Sequence, residues 1–271
     1  MPTSRHEASV TAMETLGDDL VLLAIRPNGV IAAAAKLRYG LSGSELVRLA
    51  ALGRVGIERG RIVVLDQAPT GDVLLDQALA DMANRARPPT AKKWVASHRG
   101  ELVRRYLDRL AAAGTIQLVR RKALGFIPVD GWTVLAAERM AAARARLDAV
   151  AYGTGDIGMP EIALAGLATA VGLPQVIYPG FGGSSERRRI SRAARGARFA
   201  AEMNQAASTP AAGTPDASML AATDAAVRAA TDAAVQASID AATQAAISAA
   251  TDAAHSAGHH AGGGGHAGGH H

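Results

Sequence analysis

Hydrophobic positions recur at two different periods along this chain, and each change of period marks an element boundary. Asp18–Ile25, DDLVLLAI, is a short apolar run closed by Arg26-Pro27-Asn28-Gly29, a turn signal. Within residues 30–55, Leu46, Leu49, Ala50 and Leu52 recur near the helical period; Ser42 or Ser44 is placed to cap that helix, and Gly53 ends it. The next stretch, RVGIERGRIVVLD, alternates and turns at Arg59-Gly60, which predicts a β-hairpin. The order then repeats. Ala91–Gly114 predicts a helix with Trp94, Leu102, Leu107 and Leu110 inward, and TIQLVRRKALGFIPV predicts a second hairpin. Two helix-Gly-hairpin units result, Ser42–Leu65 and Arg99–Val129, which an old duplication and a recurrent helix-wing arrangement explain equally well.

Between the units, Pro69-Thr70-Gly71-Asp72 leads into a helical pattern. Pro69 stiffens the turn, Thr70 or Asp72 satisfies free amides, and Val73, Leu74 and Leu79 are expected to bury. TVLAAERMAAARARLDAVAYG predicts a long Ala-rich helix ending at Gly153, and MPEIALAGLATAVGL a buried one with Pro160 in its first turn. The Arg-rich segment from Glu186 predicts a further amphipathic helix. Past about Ser208 the chain becomes Ala, Thr, Asp, Gly and His. The pattern therefore divides into a flexible start, 1–15, a folded part, 16–205, and a low-complexity tail, 206–271.

Within the tail, Met219, Val227, Val235, Ile239 and Ile247 sit four or eight apart, and AATDAAVR is followed directly by AATDAAVQ. A stripe of single Val and Ile residues is thin, and it suits a weak partner helix, a lipid-adjacent helix or a fluctuating Ala-rich tail. The chain then closes in a Gly-rich stretch holding six of the eight His. Such spacing fixes no ligand geometry, so no specific metal site and no cofactor are expected.

Charge adds to this picture by its placement. Between Arg85 and Phe126, eleven Lys or Arg stand against Glu101 and Asp108, a local net of +9, and Glu186–Arg198 carries six Arg against one Glu. Clusters of this kind face an anionic partner or are a solvated helix face. The chain has no cysteine, which removes disulfides, thiolate zinc sites and a cysteine nucleophile, and fits a reducing cytoplasm. No apolar h-region opens it, and the longest apolar stretch, 162–177, is broken by Pro174; neither a signal peptide nor a membrane span is predicted.

No residue set predicts catalysis. His6 and His98 each stand alone ahead of the tail, and the Gly-rich PGFGGSS lacks the Lys-Ser/Thr ending of a phosphate loop. Asp72 and Asp76, four apart, suit a cation site, but acidic residues in a first helical turn are favoured by the helix dipole alone.

Taken in order, YGLSGSELVRLAALGRVGI, VVLDQAPTGDVLLDQAL, ELVRRYLDRLAAAGTIQ and VRRKALGFIPV resemble the Golgi phosphoprotein 3 family over about Leu16–Phe199, and APTGDVLLD is the most specific stretch. The resemblance implies a mainly α fold, a helical bundle core surrounded by amphipathic helices with two or more β-hairpins, and no catalysis. It also implies a peripheral membrane protein on the inner, cytoplasmic face of the membrane. Such a protein binds anionic phospholipid, phosphatidylinositol 4-phosphate or a bacterial acidic lipid, and joins the membrane to protein cargo.

Carried over by position, the inserting hairpin is Leu118–Val129, with Leu124, Phe126 and Ile127 at its tip and Arg120, Arg121 and Lys122 at headgroup level. The pocket arginines match Arg99, Arg104 or Arg105. Two positions depart from the eukaryotic pattern: Ser42 stands where relatives have Arg, and Ala33 where they have a pocket Trp. Arg38, one helical turn before Ser42, is the candidate replacement charge. The competing expectation is a winged-helix-like nucleic-acid binder, since a basic helix followed by a hairpin has that outline. The tip decides between them: wings end in Arg, Lys or Gly, and this one ends in Leu-Gly-Phe-Ile-Pro.

Overall fold

A computed structural model describes residues 13–97, 101–123, 127–155, 157–207 and 220–232, all within one compact unit that runs to Ala234. It is mainly helical, with two antiparallel β-hairpins. The elements are α1 (Leu16–Ala24), α2 (Ala34–Ala51), β1 (Val55–Glu58), β2 (Arg61–Val64), α3 (Val73–Ala83), α4 (Ala91–Ala96) and α5 (Leu102–Ala112). They are followed by β3 (Ile116–Ala123), β4 (Ile127–Val134), α6 (Ala137–Tyr152), α7 (Met159–Val171), α8 (Leu173–Ile177) and α9 (Ser184–Ala207). Residues 220–232 form one more helix, α10.

The core lies where α1, α2 and α7 meet. Leu16, Leu20 and Leu22 of α1, Leu37, Leu41, Leu46 and Leu49 of α2, and Leu164 and Leu167 of α7 are fully buried, while α5, α6 and α9 pack around them. Gly17 lets α5 come close: a Cβ there would stand 2.4 Å from the ring of Tyr106, which is itself fully buried.

Both helix-Gly-hairpin units are real, and they stop their helices identically. Gly53 and Gly114 each adopt φ 67°, and the amides of Arg54 and Thr115 reach back to the carbonyls of Leu49 and Leu110. That is a Schellman stop, in which the left-handed residue turns the chain directly into the first strand. The β1–β2 hairpin turns at Arg59-Gly60, both at positive φ, which matches the twist of two-residue hairpins.

The helices differ from expectation in three places. First, α2 begins at Ala34, so Ser42 and Ser44 are interior; their hydroxyls donate to the carbonyls of Arg38 and Leu41 instead of capping. Second, the single helix expected over Ala91–Gly114 is two helices, α4 and α5. Third, Val73 is 68% exposed, because the α3 stripe that buries is Leu74, Leu75, Ala78 and Leu79.

Beyond the boundary drawn at 205, α10 packs into the same core. Ala222, Ala226, Val227 and Ala230 are buried, and the packing depends on glycine: a Cβ on Gly166 would fall 2.7 Å from Val227 Cγ2, and one on Gly43 3.5 Å from Ala226 Cβ. A helix that buries only small residues and one Val holds its place by this close approach.

Candidate functional site

The hairpin β3–β4 is the longest extended element, and its base is anchored on two sides. Leu135 N–H donates to the carbonyl of Thr115, Arg139 Nη1 donates to Thr115 Oγ1 at 3.1 Å, and Trp132 N–H donates to the carbonyl of Gly29 at 2.8 Å. Pairing runs from Ile116↔Val134 to Ala123↔Ile127 without a bulge. Because alternate residues share a face, Leu118 and Arg120 lie on one side of the ribbon.

Exposure rises along the strand away from the base. Ile116 is 2% exposed and Leu118 51%, and the Arg120 side chain is 80% exposed, 3.6 Å from the Asp130 carboxylate across the ladder. Three further residue pairs continue beyond that point. The tip residues Leu124 and Phe126 lie outside the described residues, as do the side chains of Arg121, Lys122 and Ile127.

The expected headgroup arginines are placed on two packed helices, α2 and α5. Arg38 sits in the first turns of α2, its guanidinium 4.7 Å from the centre of the Tyr39 ring and Nη2 donating to the Tyr39 hydroxyl at 2.7 Å. Arg104, 79% exposed, pairs loosely with Asp108 on its own helix, and Arg105 is half-buried beside it. Arg99 lies outside the described residues.

What holds α5 in this position is the Pro-Thr-Gly-Asp turn. Asp72 caps α3: its Oδ1 accepts from the Leu74 and Leu75 amides, while its Oδ2 accepts from Arg48 of α2 at 2.7 Å and Arg109 of α5 at 2.9 Å. Arg109 continues to Asp18 of α1. One carboxylate thus ties three helices together, and Arg109 extends the tie to a fourth. Burial works against its ionisation, but the Arg48 and Arg109 guanidinium groups outweigh that and hold Asp72 below the usual carboxylate range. Asp76 faces the turn differently, accepting from the amide and the hydroxyl of Thr70, each at 2.7 Å, which also lowers its pKa. Both carboxylates are occupied by protein donors, so the pair is a fold device and not a cation site.

A cleft of about 590 Å³ opens against the hairpin base, between α1, β4, α6 and α8. Leu23, Trp132, Val134, Met140 and Ile177 supply apolar walls, and Arg26 and Arg144 line it as well. None of Arg38, Arg104 and Arg105 does. Arg144 is steadied by Asp148 at 3.0 Å and stacks 4.5 Å from the Tyr178 ring.

The family model for Golgi phosphoprotein 3 (GPP34) matches residues 16–237. This chain belongs to the Golgi phosphoprotein 3 family. No curated protein matches it. The family match takes in α10 together with the rest of the core. Family membership is consistent with lipid binding in general.

Sequence reasoning did not find the cleft. Its walls come from three separated stretches of chain, α1, β4 with the adjoining α6, and α8, and neither Arg26, read as part of a turn, nor Arg144, within an Ala-rich helix, carries a local signal. Among the described residues no group of three or more His, Cys, Asp or Glu is arranged to hold a metal, and no helix is long and apolar enough to cross a membrane.

Proposed function

We propose that this protein is a peripheral membrane protein that binds anionic phospholipid, with the β3–β4 hairpin entering the bilayer and basic side chains meeting the headgroups. The exposure gradient along β3 carries this reading: an anchored base, a half-exposed Leu118 and an Arg120 in solvent describe an arm that leaves the core. A solvated two-stranded arm gains nothing by ending in Leu124, Phe126 and Ile127 unless those residues meet an apolar phase.

The energies suffice for reversible attachment. Each apolar tip residue contributes about 1.5–3 kcal/mol when buried, and each basic residue near an anionic leaflet about 1 kcal/mol. Arg120, Arg121 and Lys122 sit two to four residues before Leu124 in sequence, so insertion brings them to the headgroup layer. Arg38, Arg104 and Arg105 are the candidate headgroup contacts from the bundle, and Ser42, buried within α2, is not one. The acidic lipid is phosphatidylinositol 4-phosphate or a bacterial lipid such as phosphatidylglycerol or cardiolipin, on the cytoplasmic face. The family assignment and the apolar tip both weigh against a nucleic-acid wing.

Flotation of the full chain with vesicles of neutral, phosphatidylglycerol, cardiolipin and phosphatidylinositol 4-phosphate composition tests this. Binding to one or more acidic compositions, weakened by salt, is expected. Equal binding to neutral vesicles, or none to any, overturns it.

A further inference from the structure

The cleft between α1, β4, α6 and α8 shares no residue with the hairpin tip or with the candidate headgroup contacts, and its walls describe a ligand of their own. Its volume of about 590 Å³ lies within the roughly 300–1,000 Å³ of ordinary small-molecule sites. Leu23, Ile25, Val134, Met140, Val176 and Ile177 make the walls apolar. Among the described residues that line it, the only charged side chains are Arg26 and Arg144. The cleft therefore offers apolar surface and two cations, with no anion in its lining.

The fold holds both arginines in place. Arg26 begins a turn that is closed twice: its amide donates to the Val30 carbonyl at 3.0 Å, and its carbonyl accepts from the Gly29 amide at 2.8 Å. The Gly29 carbonyl in turn accepts from the Trp132 amide, which fixes the turn against the β4 wall of the same cleft. Glycine is needed there, since φ is 78° and a Cβ would stand 3.0 Å from the Trp132 carbonyl oxygen. Arg144 is oriented by Asp148, whose two oxygens accept from its Nε at 3.0 and 3.1 Å, and by the Tyr178 ring, 4.5 Å from its guanidinium carbon. The Tyr178 hydroxyl also donates to Asp148, so that carboxylate is engaged by protein donors. The Nη donors of Arg144 and the guanidinium of Arg26 take no protein partner among the described residues.

We propose that the cleft binds an anionic single-chain amphiphile, a free fatty acid or a lysophospholipid. The acyl chain lies on the apolar walls, and the carboxylate or phosphate head meets Arg26 and Arg144. A guanidinium presents a planar fork of donors that suits either head, and such charge-assisted bonds favour an anion over a neutral or cationic amphiphile of equal length. Binding of this kind needs no bilayer, so it stands apart from the membrane reading of the β3–β4 arm.

Trp132 supplies the test. It lines the cleft, whereas the other tryptophan of the chain, Trp94, is fully buried and does not. Dibromostearate, whose bromines quench indole fluorescence only near contact, is added to the full chain below its micellar concentration and without vesicles. Saturable quenching at one equivalent is expected, absent in Trp132→Phe. Palmitate or lysophosphatidylglycerol reverses it, and whichever competes better names the head, carboxylate or phosphate. Arg26→Glu, at an exposed turn position, weakens binding about tenfold or more. Ala141→Phe, which enters the cleft from an exposed position on α6, abolishes the quenching while flotation with phosphatidylglycerol vesicles stays as in wild type. The inference fails if quenching does not saturate, or if Trp132→Phe is quenched as strongly as wild type. It fails equally if either cleft variant, folded by circular dichroism, binds as tightly as wild type, or if cetyltrimethylammonium displaces the probe as well as palmitate does.

Discussion

Replacing Asp72 separates the two roles of one carboxylate. Its Oδ1 caps α3, and its Oδ2 joins Arg48 of α2 to Arg109 of α5. Asp72→Ala removes both. Losing the cap costs about 1 kcal/mol. Breaking the pair leaves Arg48, 6% exposed, without its carboxylate, for which the lower end of the range for buried pairs, about 3 kcal/mol, applies because Asp72 is itself 21% exposed. The sum of about 4 kcal/mol is a large share of the roughly 5–15 kcal/mol that holds a domain folded. Asp72→Asn keeps an acceptor for the α3 amides and loses only the charge, so it falls between. Urea denaturation followed by circular dichroism reads the order directly: wild type, then Asn, then Ala, with unchanged slopes. An Ala variant within about 1 kcal/mol of wild type, or an Asn variant no better than Ala, refutes the clamp.

Three further outcomes follow from the same geometry. The lowered pKa of Asp72 means that its contribution is fully present above the ordinary carboxylate range and is lost as pH falls through the folded-state value; acid unfolding of Asp72→Asn is therefore shallower than that of wild type, read by circular dichroism from pH 6 downward. Asp19 of α1, buried and paired with Arg146 of α6, runs the other way: burial outweighs Arg146 and raises its pKa, so its ionisation weakens the fold as pH rises through and above the ordinary carboxylate range, and Asp19→Asn with Asp72 intact steepens the acid limb instead. Gly53→Ala and Gly114→Ala each force a left-handed Ala at a helix stop and cost about 1–2 kcal/mol, measured by the shift in urea midpoint.

Much of the fold was legible because it rests on local signals. Arg59-Gly60 announces its hairpin, Gly53 and Gly114 announce their helix ends, and Asp72 reads as a cap before its two arginine partners are known. What the sequence hid depends on contacts between distant segments. Ser42 and Ser44 look like caps, but the Ala-rich stretch before them is a good helix former and their hydroxyls are satisfied inside it. For α10 the sequence left a partner helix as one of three readings, since what seats Val227 and Ala226 is the space left by Gly166 of α7 and Gly43 of α2, far away in the chain. At the candidate site TIQLVRRKALGFIPV announces a hairpin and the family resemblance alone gave it the role of an inserting arm, whereas the cleft at its base, assembled from several elements, left no trace.

The central claim is that the β3–β4 arm inserts at an acidic membrane. Its most direct measurement is vesicle co-sedimentation of Phe126→Asp beside wild type on phosphatidylglycerol vesicles, with circular dichroism confirming that both are folded. Removing one buried aromatic and adding a charge predicts binding at least about tenfold weaker. A folded variant that pellets as well as wild type contradicts the account.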